Sequence, residues 1–440
     1  MAKKIIVAGA GHGGLAAAAL LAKKGLGVTV YERQSEGTLG HDWMDVFAPG
    51  ALQAAGLPFP AEDKFEYKGN MTFYSTNMKT PLKQDVPEDQ LELKMERRDI
   101  CALLIDNALA CGVKIVYDCE IASPLLNGDR VTGIRTNKGD FYADLIIDAA
   151  GLHSPLRTQL PKMCGIDNTV GQNERLFAYR IFYDRVESGA PEDLYKVCLL
   201  PEGKKGLAWV AMEEDCTDLF IGRFSPFDMD EVEHSAAYFR QLVPQLGTEP
   251  RRGGHFVELP VRHPLPVMVC DGYAAIGDSA FMTMPIVGNG IANNFIAAGI
   301  LADTVLRDTA GAFSAETLWP YQVAYYKKLG SGFAILACIK ILLTKISPEE
   351  LDYVFEKGIL TAADFTIGAD STSIGEIIQF SPAEMLDRAK NIYGNKALMK
   401  KILSLISQIG KVAAVTAVMP KTWSQEKVFS WAANYRGLFL

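Results

Sequence analysis

The 440-residue chain is 49% hydrophobic and 22% charged, with a formal net charge of −8, a balance typical of soluble globular proteins. That length calls for two or three hydrophobic cores rather than one. No Lys/Arg stripe dominates any segment, which speaks against nucleic acid as a partner, and no uncharged apolar run reaches bilayer length.

The eight cysteines (Cys101, Cys111, Cys119, Cys164, Cys198, Cys216, Cys270 and Cys338) lie far apart, without a CxxC among them. No metal or iron–sulfur cluster is expected. They read as reduced, packed thiols of a cytoplasmic protein, with a redox-active pair brought together by the fold as the lesser alternative.

Lys3-Lys4 ahead of an Ala-rich stretch has the outline of a secretory signal. Four glycines break the stretch and Lys23-Lys24 follow it, and another reading explains each of these features. Residues 3–8 form a short apolar run suited to a strand buried on both faces. Gly9-Ala10-Gly11-His12-Gly13-Gly14 then matches G-x-G-x-x-G at Gly9, Gly11 and Gly14. A helix-favouring stretch, Gly25 as its stop, and a second strand at 28–31 complete the unit, which finishes at Glu32 with Arg33 beside it.

Each part has a physical task. Gly9 permits the tight turn, Gly11 lets the backbone approach a pyrophosphate, and Gly14 lets helix pack on strand. The helix N-terminus offers free N–H groups to phosphate. Glu32, eighteen residues after Gly14, stands where an acid accepts the adenosine ribose hydroxyls. This unit alone admits NAD or FAD, and the acid disfavours NADP. His12 reads as positional.

Between Gln90 and Cys119, Arg97-Arg98-Asp99-Ile100 opens an amphipathic helix with Leu103, Leu104, Ala108 and Leu109 on its apolar face, followed by a strand at 113–117. A second block pairs a buried strand, 144–148, with Gly151-Leu152-His153-Ser154-Pro155-Leu156-Arg157. A third holds Gly277-Asp278-Ser279, then Pro285, Gly288-Asn289-Gly290 and an Ala-rich helix. In this order and spacing the three blocks resemble the flavoprotein superfamily of aromatic hydroxylases and geranylgeranyl reductases, over roughly residues 1–330.

The resemblance implies FAD as cofactor, with Asp278 on its ribityl and pyrophosphate and Pro285, Gly288, Asn289 and Gly290 along the flavin ring. Glycines there let backbone N–H groups approach a flat ring edge, and the next helix aims its positive end at reduced flavin. It also implies an arginine at the start of the helix opened by Arg97-Arg98, near FAD; Arg98 is the best match and Arg97 the alternative. One departure is Ala150, where hydroxylases carry an acid tied to flavin and NADPH, which puts NADPH use in doubt.

The implied fold class is α/β: a Rossmann-like FAD-binding domain, an inserted antiparallel β-sheet substrate domain and a C-terminal helical region. The FAD-binding domain is discontinuous over 1–70, 96–170 and 262–330. The sheet domain takes 71–95 and 171–261, where segments 176–183, 195–200, 206–212 and 218–224 alternate in polarity. Residues 331–440 are the helical remainder.

Trp209 falls near an aromatic-x-Trp motif of the reductases, matched in part, and is either substrate wall or core. His41 and Asp45, in the segment Gly40-His41-Asp42-Trp43-Met44-Asp45, read as proton-transfer candidates on a loop. Their alternative is a solvent-facing histidine and a helix-capping aspartate.

The expected function is an FAD-dependent oxidoreductase that reduces or oxidises a carbon–carbon bond of an apolar substrate by hydride transfer through flavin N5. Rival readings are a monooxygenase hydroxylating an aromatic substrate and a non-catalytic flavin-binding protein. The substrate is small and apolar or aromatic; electron donor and oligomeric state stay open. Lys400, Lys401 and Lys411 flank an apolar stripe in 397–418, read either as core packing or dimer interface, or as peripheral membrane contact.

Overall fold

A computed structural model describes residues 3–187, 189, 193–286, 288–367, 388 and 390–439. The chain begins with Lys4–Ala8 (β1), His12–Ala22 (α1) and Gly27–Tyr31 (β2), then Met44–Phe47 (β3), Thr72–Tyr74 (β4), Leu82–Lys83 (β5) and Leu93–Glu96 (β6). Arg97–Ala110 (α2), Lys114–Val116 (β7) and Leu145–Asp148 (β8) follow. Among the described residues one sheet has six strands, in the order Val269–Cys270, Tyr273–Ala275, β8, β1, β2, β7.

In that sheet Ile5 pairs in parallel with both Leu145 and Val28. The chain therefore crosses from β1 to a neighbour on either side. Such a switch point places a ligand crevice at the carboxyl ends of β1 and β2. Ile5, Val7, Ala8, Leu145, Ile146 and Ile147 are all buried, each large side chain contributing about 1.5–3 kcal/mol. That burial on both faces explains why these strands read as continuous apolar runs. Eight residues of α1 are buried, five of them alanine or leucine from Leu15 to Ala19. Small side chains let this helix lie between the sheet, α2 and the helix Ile291–Arg307.

The second body is a sheet of seven strands among the described residues. Its core is Arg175–Arg185 (β9), Tyr195–Leu199 (β10), Gly206–Met212 (β11), Cys216–Arg223 (β12) and Leu246–Pro260 (β13). The order is β13-β9-β12-β11-β10-β4-β5, antiparallel except where β4 joins β10 in parallel, Phe73 opposite Val197. Alternation sorts its side chains. Tyr179, Ile181, Val210, Leu219 and Ile221 face the helix Met229–Leu242 (α3) and its Val232, Ala236 and Phe239. Leu176, Ala178, Leu207, Phe220 and half-buried Leu259 face the other way and pack with Trp43.

Val269–Cys270 (β14) and Tyr273–Ala275 (β15) return the chain to the first sheet, followed by Ile291–Arg307 (α4) and Ala315–Tyr325 (α5). The remainder is helical where described: Ser331–Lys345 (α6), Pro348–Glu356 (α7), Lys396–Ala417 (α8) and Gln425–Arg436 (α9), with the short Ala362–Ile367. Phe333, Leu336, Val412 and Trp431 join the core of the first sheet, while Leu351, Phe355 and Leu398 join Phe73 and Val197 of the second. No single helix among the described residues is long and apolar enough to cross a membrane. The eight cysteines are free thiols.

Candidate functional site

The turn after β1 is built by exclusion. A Cβ on Gly9, where φ is +97°, would lie 2.6 Å from the Ala149 carbonyl oxygen. A Cβ on Gly14 would lie 2.6 Å from that of Ala149. Gly11 is the N-cap of α1, without a side-chain cap, so the first N–H groups of the helix are free for a ligand. Glu32, buried at the end of β2, accepts 2.8 Å bonds from the backbone N–H groups of Ala10 and Gln34. Its carboxylate is thus fixed beside the turn, with lone pairs to spare. Arg33 is exposed.

The second and third blocks are knotted together by Asp148. Its carboxylate accepts from Ser154 Oγ (2.5 Å), Tyr273 Oη (2.7 Å) and Ser279 Oγ (3.0 Å). Ser279 Oγ in turn accepts the Gly151 N–H at 2.9 Å. Asp278 accepts from Thr283 Oγ1 at 2.6 Å. Burial pushes its pKa up, against the Thr283 bond and Arg97. Pro285 is buried. Gly288 has φ +74°, and a Cβ there would meet Leu259 Cδ1 at 2.9 Å. Asn289 Nδ2 donates to the Val46 carbonyl at 3.0 Å, and Gly290 is the N-cap of α4.

Asn294, in the first turn of α4, stands against Gly13, Gly277 and Gly290, one glycine from the first block and two from the third. Its Oδ1 is buried without a partner, as is that of Asn293. Neither residue was singled out in the sequence. The signal was there: two amides in the otherwise apolar first three turns of the helix, just after a Gly-x-Gly.

At the crevice mouth the segment Gly40–Asp45 leaves the loop expected of it and enters β3, which pairs with β6, Asp45 opposite Met95. Arg97 grips Asp45 through Nε–Oδ2 (2.5 Å) and Nη2–Oδ1 (2.6 Å) and donates from Nη1 to His41 Nε2 at 2.5 Å. His41 also stands edge-on to Trp43, 5.4 Å between centroids. Neither a solvent-facing histidine nor a capping aspartate is found. Arg97 is the guanidinium turned inward, and Arg98 is exposed. Successive helix residues point about 100° apart, so only one of the pair can face the crevice.

These charges set one another. Burial, then Arg97, lower the His41 imidazole to about 4, with Asp45 opposing. Burial would raise Asp45, but the Arg97 charge and hydrogen bonds outweigh it and hold the carboxylate below its usual range. At neutral pH His41 is uncharged and Asp45 ionised.

The sheet wall above carries Arg180, bidentate to Asp218 at 2.8 and 2.6 Å and bonded to the Met44 carbonyl. Trp209 Nε1 donates to Asp218 at 3.1 Å, and its ring stacks on Phe220 at 3.8 Å and 5°. Trp209 thus belongs to the wall facing Trp43, half-buried, joined to the buried ion pair.

Residues 7–49 match the family model of the NAD(P)-binding Rossmann-like domain. The chain is 23% identical over 441 residues to the digeranylgeranylglycerophospholipid reductase of Sulfolobus acidocaldarius, covering 97% of this chain and 95% of that protein. A geranylgeranyl bacteriochlorophyll reductase-like protein from Thermoplasma acidophilum superimposes with a TM-score of 0.71 at 19% identity, over 92% of this chain and 99% of the other. A probable FAD-dependent monooxygenase from Pseudomonas aeruginosa gives 0.61 at 19%, over 81% and 100%. The chain is an FAD-dependent oxidoreductase. The expected fold class and the resemblance carried by the three blocks are borne out.

The oxidoreductase has a crevice whose residues fit FAD. Gly9 and Gly14 bring backbone close where side chains cannot fit. Besides the two asparagine oxygens, His12 Nε2 is closed off without a partner. Buried polar atoms left unpaired cost about 1–3 kcal/mol each, and a cofactor rich in hydroxyl and phosphate oxygens supplies partners.

Proposed function

We propose that this oxidoreductase saturates a carbon–carbon double bond in an apolar, prenyl-type substrate. The observation that carries the reading is the wall opposite Gly288, formed by Trp43, Phe220, Trp209 and Leu176. Its cation, Arg180, is already committed to Asp218. Such a surface recognises hydrocarbon, not a substrate carboxylate. The near full-length match to a lipid reductase supports it.

Within this reading Gly9, Gly11 and Gly14 shape the pyrophosphate turn, Glu32 holds the adenosine ribose, and Asp278 with Asn294 holds the ribityl segment. Pro285, Gly288, Asn289 and Gly290 border the flavin ring. Arg97 takes the place assigned to Arg98. Bound FAD, once reduced, supplies the hydride, and saturation needs one proton besides. His41, neutral at the crevice mouth, relays that proton from solvent rather than holding it in store. Asp45 favours the charged imidazole and holds Arg97 in position. Trp209 and Trp43 orient the chain and exclude water.

The test is anaerobic. Chemically reduced enzyme is mixed with a geranylgeranyl lipid, following flavin absorbance and product mass. Reoxidation with a product two hydrogens heavier is expected. Reoxidation by oxygen alone, with hydroxylation of an aromatic compound, would replace this reading by the monooxygenase that shares the fold.

A lipid-like substrate also gives the exposed side of α8 a role. Leu403, Ile406 and Val418 are 58%, 49% and 73% exposed there, beside exposed Lys400 and Lys411. A basic amphipathic helix of this kind rests on a membrane surface.

A further inference from the structure

His12 occupies a position of the G-x-G-x-x-G turn that needs only its backbone. Its side chain is an imidazole at the first residue of α1, and its Nε2 is shut from solvent with no partner in the chain. Asn293 and Asn294 Oδ1, buried and equally unpartnered, lie on the helix packed against this turn, with Asn294 Cβ 3.4 Å from where a Gly13 Cβ would be. Asn294 thus brings a second unsatisfied polar residue against the turn that carries His12. A helix N-terminus attracts anionic groups, and here a half-buried imidazole, its Nε2 closed off and unpaired, stands in the same place.

We propose that His12 is a proton-linked ligand of the cofactor: binding of FAD transfers one proton from solvent to the imidazole, which then donates to a cofactor oxygen. The proton balance is simple. Neutral His12 and one proton give the imidazolium, and nothing is oxidised or reduced. The inference rests on FAD as cofactor and not on which substrate is reduced.

The surroundings say why the proton arrives with the cofactor. In the free protein burial, then the Arg97 guanidinium, lower His12 to about 4, with Asp45 opposing. Without an added anion the ring is neutral at physiological pH. The diphosphate of FAD brings negative charge to this helix end and reverses that balance. Other groups face the same crevice: Arg97 from α2, Asp45 from β3, and His41, which senses His12, Arg97, Asp45 and His255. Asp278, raised by burial, lies on the third block. Arg97 keeps its charge throughout, and Asp45 stays ionised. His41 and Asp278 are separated from His12 by substitution.

Because the bound pKa exceeds the free one, affinity gained at low pH is lost as pH rises through the bound value. FAD release from the holoenzyme, followed by its fluorescence, should strengthen about tenfold per pH unit on rising from about pH 5, levelling once the bound imidazole deprotonates. In His12→Gln that slope should vanish while the contribution of Asp278 remains. Calorimetry of FAD added back to stripped full-length protein, in two buffers of different ionisation enthalpy, should show about one proton taken up near pH 6. Equal slopes in wild type and His12→Gln would overturn the proposal. Zero proton uptake in wild type would overturn it too, and decides the matter alone if the variant fails to retain FAD.

Discussion

Arg97 and Asp45 meet as a planar fork, Nε to Oδ2 at 2.5 Å and Nη2 to Oδ1 at 2.6 Å, with the guanidinium carbon 5.1 Å from the Trp43 ring centroid. A guanidinium fixed in this way cannot turn to solvent when the crevice is empty, so the site is preorganised before the cofactor arrives.

Asp45→Asn keeps the shape and removes the charge. Arg97 is left uncompensated, and the His41 imidazole becomes harder to protonate. Stability should fall by about 1.5–3 kcal/mol, the worth of hydrogen bonds to a charged group. The alkaline limb of the rate–pH profile, set by loss of the His41 proton, should move to lower pH. Denaturant melts and a pH series of single-turnover reduction check both; an unmoved alkaline limb would detach His41 from proton delivery.

Glu32→Gln retains an acceptor for the Ala10 N–H but not the charge. FAD affinity should drop about ten- to a hundredfold, with the apoprotein melting as wild type does. An unchanged FAD dissociation constant removes Glu32 from the ribose site.

Gly14→Ala and Gly25→Ala make a paired steric test. At Gly14 a methyl group meets Ala149 Cβ at 2.6 Å and the Gly9 carbonyl oxygen at 2.9 Å, whereas at Gly25, φ +87°, nothing lies within 4 Å. Gly25→Ala should cost about 1 kcal/mol from its left-handed backbone and leave FAD content intact. Gly14→Ala should lose most of the cofactor on purification. Equal FAD content in the two proteins would contradict the helix–strand contact.

His263 is buried, stacked on Phe439 at 4.1 Å, with Nδ1 donating to the Pro264 carbonyl. Burial, then Arg262, hold its pKa well below that of free histidine. The unfolded chain therefore binds a proton that the folded chain refuses, and stability falls as pH drops below about 6.5. The melting temperature of wild type should decline from pH 7.5 to 5.5, and His263→Gln should flatten part of that decline. A flat wild-type curve contradicts it.

Flotation with vesicles of zwitterionic and of anionic lipid tests the surface of α8. The intact protein should rise with anionic vesicles, and Leu403→Ser combined with Ile406→Ser should keep it at the bottom. Wild-type protein that never floats returns α8 to the core alone.

The first sheet was legible because its strands are buried on both faces and its turns need glycine; β1, β2 and β8 fall within a residue of expectation. Strands β9 to β12 were legible through alternation, which one packed and one crevice-facing side imposes. The fifteen-residue β13 escaped notice because Pro250 and the pair Gly253-Gly254, both at φ +82°, look like a loop. They are instead bulges that bend the strand along β9. Helix α3 was missed as well, its apolar stripe of Val232, Ala236 and Phe239 being short. In the site, glycines and Glu32 announce themselves by type. Whether Arg97 or Arg98 faces inward depends on how α2 is rotated about its axis, which its own sequence leaves ambiguous.

The helix Lys396–Ala417 has one end seated in each body, Leu398 among residues of the second sheet and Val412 among those of the first. It acts as a crossbar. Widening the crevice by rocking one body away from the other means prising one of those leucine or valine anchors out of its socket. The two bodies are thereby braced against each other along the length of one helix.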